Sequence, residues 1–311
     1  MMMVSILGSV ASLLGLELLL RSWHYRKKII AYDLQHYPYY RRPRNSYGKD
    51  IYYVSRLGKK NTAPIRISSE GIRNDIAGEK RKLILALGCS VTEGASLTEE
   101  KTYPGILQKF VDEKEYAVIN AGIGGYGIFQ IEALLHDLIR YQPKAVMIQL
   151  IDFKRIPLKK EKIKKTARIL RFSQKLKQTS VLLWHLYKIV YGRRISRVRS
   201  PYMMRGLLPE VLWEKNLPYL ESIQQLCSSR KIPLIFFIWP SKDPQWMDNS
   251  FFQQKIKQFC HKGAHTFDSR EMLRFYREEE LHLKNDAHPS ALANRLVAKA
   301  AYECLKKELV V

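Results

Sequence analysis

Leu83-Ile84-Leu85-Ala86-Leu87-Gly88-Cys89-Ser90-Val91-Thr92-Glu93-Gly94 is the stretch on which the reading of this chain turns. Five apolar residues in a row, closed by a glycine, fit a strand buried on both faces of a parallel sheet. A serine just beyond such a strand, between glycines, can present its hydroxyl at the head of the next helix. The N–H groups of that helix N-terminus can then stabilise a developing oxyanion. Taken alone, such a serine is more often a plain helix cap.

Outward from this stretch the pattern is α/β. Thr102 to Asp112 reads as a helix and Tyr116 to Asn120 as a second strand. Gln130 to Arg140 reads as a helix and Ala145 to Leu150 as a third strand. Leu217 to Ser228 is amphipathic, Pro233 to Trp239 is a fourth strand, and Ser290 caps a closing helix that runs to Lys307. Strands alternating with helices predict a three-layer sandwich around a central parallel sheet. Residues 154–207 break the rhythm and read as a basic insertion with one or two amphipathic helices. Between 154 and 200 there are sixteen Lys or Arg and one acid, Glu161. Such a stretch suits an anionic membrane surface, a gate over the site, or a solvated basic face.

Ligands of parallel sheets bind beyond the carboxyl ends of the strands. The second strand ends in Asn120-Ala121-Gly122-Ile123-Gly124-Gly125-Tyr126-Gly127, where glycines allow close backbone approach. It lacks the Lys-Ser/Thr of a P-loop and the downstream acid of a dinucleotide site. Near the C-terminus stands Asn285-Asp286-Ala287-His288-Pro289-Ser290. A histidine that activates a serine hydroxyl needs a carboxylate to hold its tautomer, and Asp286 lies two residues before His288.

In order and approximate spacing, these three segments resemble the blocks of the SGNH (GDSL-type) serine hydrolases, over about residues 66–311. The resemblance extends upstream to Ser69-Glu70-Gly71-Ile72-Arg73 and downstream to Ala293-Asn294-Arg295-Leu296-Val297-Ala298. It implies an SGNH/flavodoxin-like fold, Ser90 as nucleophile, His288 as base and Asp286 as the orienting acid. The N–H groups of Ser90 and Gly125 would form the oxyanion hole. An ester substrate is implied, an O-acyl group on a carbohydrate or a lipid, cleaved by water or transferred to a second alcohol. No cofactor and no metal are expected. The family's third block offers an Asn that completes the oxyanion hole, and here Ile151-Asp152 stands in its place. Gln149 is a candidate replacement donor. Cys89 replaces the first-block Asp, and Asn285 occupies the position where many members carry the acid. The loss at Ile151 leaves an alternative open: a catalytically degenerate module that binds glycan, lipid or protein partners at a membrane.

Val4 to Leu20 is almost wholly apolar, about the minimum for a bilayer-spanning helix. It predicts a transmembrane anchor with its basic flank over 1–28, a juxtamembrane connector over 29–80, and the hydrolase domain over 81–311. Glu17 and Arg21, late in the apolar run, are similar to those of a bacterial membrane-anchored subgroup of the family. Arg21, Arg26, Lys27 and Lys28 follow the run, and Arg41, Arg42 and Arg44 extend the bias. The positive-inside rule then places the domain on the cytoplasmic side. The formal charge of +24 fits membrane lipids or other anionic partners. Without a nucleic-acid-binding motif it does not point to nucleic acid. The four cysteines, Cys89, Cys227, Cys260 and Cys304, form no zinc or disulfide pattern.

Overall fold

In the computed structural model, residues 2–26, 39–54, 60–76, 78–111, 114–150, 153, 155–157, 160–199, 207–239, 250–260, 264–283 and 288–309 are described. A hairpin comes first, with β1 (Ser46–Val54) antiparallel to β2 (Lys60–Ile67). The central sheet holds β3 (Lys82–Gly88), β4 (Tyr116–Gly122), β5 (Ala145–Leu150), β6 (Leu234–Ile238) and β7 (His265–Asp268). All pairings in it are parallel, in the order β4-β3-β5-β6-β7. Four of these strands match the runs expected from sequence. The short β7 was missed, since three of its four residues are polar or charged.

The continuous apolar runs have the expected cause. Every residue of β4 and β5 is buried, as is all of β3 beyond Lys82, so both faces must be covered. On one face, Leu83, Leu85, Ile148 and Phe236 pack against α4 (Ile128–Leu138), α7 (Pro209–Ser229) and α8 (Ser250–Cys260). On the other, Ile84, Met147 and Phe237 pack against α3 (Tyr103–Leu107) and α9 (Ala291–Glu308). The chain leaves β3 for β4 on one side and returns for β5 on the other. That reversal opens a crevice beyond the carboxyl end of β3, and α2 (Ser90–Glu93) begins there. The outer edge of β4 is occupied by side chains. Val118 N–H donates to Gln108 Oε1 at 2.8 Å and Asn120 N–H to Asn74 Oδ1 at 2.5 Å.

The basic insertion forms two helices, α5 (Lys160–Thr179) and α6 (Val181–Arg199). The N-terminal apolar run lies within α1 (Met2–Arg26). The expected transmembrane anchor is not supported: among the described residues no helix is long and apolar enough to cross a membrane. Serines and glycines interrupt the run, and its acid is committed to a protein contact. Glu17 accepts hydrogen bonds from Val181 N (3.0 Å), Leu182 N (2.8 Å) and Ser180 Oγ (3.0 Å). It thus caps α6 from a different helix, satisfying N–H groups that have no partner within α6. Arg21 pairs with Glu17 at 2.6 Å and also donates to Thr179 O.

Candidate active site

Ser90 opens α2, directly after the extended Cys89. The turn is tight because its neighbours are glycines. A Cβ on Gly88 would lie 2.1 Å from Thr92 Oγ1, and one on Gly122 would lie 2.2 Å from Glu93 N. The ends of β3 and β4 therefore press directly against the α2 backbone.

His288 reaches the serine from the opposite end of the chain. Its Nε2 lies 3.0 Å from Ser90 Oγ, within the range a general base needs. Its backbone is fastened on both sides. Leu283 N donates to His288 O at 2.8 Å, and Ser290 N donates to Leu281 O at 2.8 Å. Ser290 caps α9 as expected, accepting from Ala293 N at 3.3 Å. Asn294, fully buried, donates to Ser290 O at 2.9 Å and accepts from Tyr103 N at 2.9 Å. The closing helix is thereby tied to both the histidine loop and α3.

Gly125 follows β4 in a left-handed conformation, φ +85°. Among the described residues, neither its N–H nor that of Ser90 donates to a backbone carbonyl. Gly124 N–H, by contrast, is already taken by Glu93 Oε2 at 3.0 Å. Asp286, Asn285, Ile151 and Asp152 lie outside the described residues. Gln149, the candidate replacement donor, sits beneath the nucleophile turn. Its Oε1 accepts from Cys89 N and Thr92 Oγ1, both at 3.3 Å. Its Nε2 is buried with no hydrogen-bond partner among the described residues, beside a small cavity lined by Cys89, Tyr126, Gly127 and Phe153.

Several residues of the site were not singled out from sequence. Glu93 and Arg42 form an ion pair at 2.8 Å with side chains 1% and 3% exposed. Arg42, one of the cations that extend the positive bias after the N-terminal apolar run, is buried here. Arg73, within the Ser69–Arg73 segment, donates to Glu93 O at 2.6 Å, Gly94 O at 3.2 Å and Leu97 O at 3.0 Å. It also pairs with Glu99 at 2.6 Å. These arginines hold the α2 turn from behind. Their signal in the sequence was slight, because one arginine among many carries no mark of burial.

All four cysteines are free. Burial pushes the Cys227 thiol up to about 12 and, as the larger cause, the Cys260 thiol up to about 11, so neither supplies a thiolate near neutrality. Among the described residues no group of three or more His, Cys, Asp or Glu could hold a metal ion.

No protein-family model matches the chain, and no curated protein matches it. Solved structures do. One is a protein assigned to the G-D-S-L lipolytic family, from Desulfitobacterium hafniense, at 15% identity and TM-score 0.45, covering 72% of this chain and 99% of that one. A psychrotrophic esterase from Pseudoalteromonas sp. matches at 18% identity and TM-score 0.45, covering 73% and 97%. An acetylxylan esterase from Geobacillus stearothermophilus matches at 16% identity and TM-score 0.44, covering 73% and 94%. The chain's own architecture is a five-stranded parallel sheet with helices on both faces, an α/β fold.

Proposed function

We propose that the chain is an SGNH-type ester hydrolase with Ser90 as nucleophile and His288 as base. The observation that carries this is the 3.0 Å contact between His288 Nε2 and Ser90 Oγ, made across 198 residues of sequence at the crevice of the sheet. In the reaction, His288 Nε2 takes the Ser90 proton as Oγ bonds to the ester carbonyl carbon. The carbonyl oxygen becomes an oxyanion held by the N–H groups of Ser90 and Gly125. Collapse breaks the bond to the alcohol, which leaves with the proton from His288. Water, or a second alcohol, then repeats the sequence on the acyl-serine and restores Ser90. Asp286 is proposed as the acid that orients His288. An O-acyl group on a carbohydrate or a lipid is the proposed substrate.

The test is a fluorophosphonate probe on the full chain, comparing wild type with Ser90→Ala and His288→Ala. Covalent labelling of wild type, absent in Ser90→Ala and reduced by about 10³-fold or more in His288→Ala, is expected. A folded wild-type protein that does not label at all would overturn the reading in favour of a binding module.

The proposed seat of this activity is a lipid surface, met by α1 and α6 lying along it. Leu13, Leu14, Leu18 and Leu19 of α1 are 55%, 60%, 67% and 71% exposed. Leu183, Leu186, Ile189 and Val190 of α6 are 51%, 50%, 79% and 71% exposed. Apolar side chains in this number, on helices joined through Glu17 and flanked by the basic α5, suit an anionic membrane interface.

A further inference from the structure

We infer that Tyr40 is a positioning residue for the oxyanion hole, acting through the peptide that joins Gly124 to Gly125. The inference rests on the Ser90–His288 reading and adds to it a residue from outside the sheet domain.

The C=O of Gly124 and the N–H of Gly125 belong to one planar trans peptide and point in opposite directions. Whatever holds the carbonyl therefore aims the N–H. Tyr40 O–H donates to Gly124 O at 3.1 Å. At the other side of the same residue, Gly124 N–H donates to Glu93 Oε2 at 3.0 Å. Glu93 is the last residue of α2, the turn that Ser90 opens, and Arg42 fixes its other carboxylate oxygen at 2.8 Å. Tyr40 and Arg42 thus bind the two halves of the proposed oxyanion hole to each other.

External support is needed here because the peptide lies between two glycines. Rotation of such a peptide turns ψ of Gly124 and φ of Gly125, and glycine resists neither. A free Gly124–Gly125 peptide could flip its N–H away from the serine at little cost. Space for the phenol is also set by the glycine: a Cβ on Gly125 would lie 2.6 Å from Tyr40 Oη. The phenol is itself held. Its ring meets Tyr126 edge-on at 5.4 Å, and Tyr126 O–H donates to Tyr40 O at 2.5 Å. A hydrogen bond accepted by the carbonyl also polarises the peptide, making its N–H a stronger donor.

The test is Tyr40→Phe in the full chain, which keeps the ring and removes only the hydroxyl. It is measured beside wild type and Ser90→Ala, with 4-nitrophenyl acetate turnover and the rate of fluorophosphonate labelling. The expected result is a fall of about tenfold in kcat and in labelling rate, with KM within about twofold and an unchanged melting temperature. A role confined to folding would lower the melting temperature and leave kcat of the folded fraction intact, which overturns the inference. Equal rates in wild type and a folded Tyr40→Phe overturn it and leave the Ser90–His288 reading standing. Absence of labelling in wild type removes both. If Tyr40→Phe does not fold, 3-fluorotyrosine at position 40 takes its place. Its more acidic hydroxyl donates more strongly, so labelling should quicken, and an unchanged rate sinks the inference.

Discussion

Gly125 concentrates several constraints in a single residue. Its φ of +85° is one that L side chains avoid, and the hydroxyl of Tyr40 fills the place where a Cβ would go. Gly125→Ala should therefore be costly twice over, through backbone strain and through displacement of the phenol. Because the strain falls on the proposed oxyanion donor, kcat/KM on 4-nitrophenyl acetate should fall by about 10²-fold or more. The loss in melting temperature should be only a few degrees, since Gly125 itself is only partly buried. Gly122 differs: its Cβ would meet the α2 backbone 2.2 Å away, at Glu93 N. A substitution there pushes on the fold itself. The two glycines stand three residues apart, and only the structure separates their roles. Gln149 makes the same point. From sequence it was a candidate replacement for the missing Asn. In the fold its Oε1 supports the Cys89 and Thr92 donors under the nucleophile.

At the scale of elements, a carboxylate of α1 caps α6. Glu17 accepts from two backbone N–H groups and a hydroxyl at the start of α6. Removing such a cap costs about 1 kcal/mol. Glu17→Ala should thus loosen α1 from α6, read as faster limited proteolysis between the two helices, while the labelling rate of Ser90 stays the same. Strands β3 to β6 were legible because each is a short apolar run buried on both faces, a pattern that few other structures produce. The blocks around Ser90, Gly125 and His288 are unspecific one by one, and only their order along the chain, through the resemblance to the SGNH hydrolases, marks them as one candidate site. The β1–β2 hairpin, inside the stretch read as a connector, was not legible. Its residues, such as Lys49-Asp50-Ile51-Tyr52-Tyr53, carry no clean alternation. Nor were the Tyr40 and Arg42 contacts, which depend on tertiary placement of residues some 50 to 85 positions from their partners. The helix at α1 was legible, and what it does was not, since the destination of Glu17 is a helix 164 residues away.

For the whole molecule, the excess of 53 Lys and Arg over 29 Asp and Glu sets the long-range field. If α1 and α6 meet an anionic bilayer, the full chain should co-sediment with phosphatidylglycerol-containing vesicles and only weakly with neutral phosphatidylcholine. Salt at about 1 M, where the screening length is roughly 3 Å, should release most of it. Ile189→Asp with Val190→Asp should weaken binding at low salt as well. Equal binding to neutral vesicles, or none to either, would count against a lipid seat. A chain that gathers on a surface reaches high local concentrations, and there the edge of β4 acquires a second meaning. Gln108 and Asn74 already occupy the Val118 and Asn120 N–H groups that a neighbouring copy's strand would need. With those donors spent, edge-to-edge pairing of crowded copies on that side is disfavoured. Two amide side chains thus act as a guard against polymerisation.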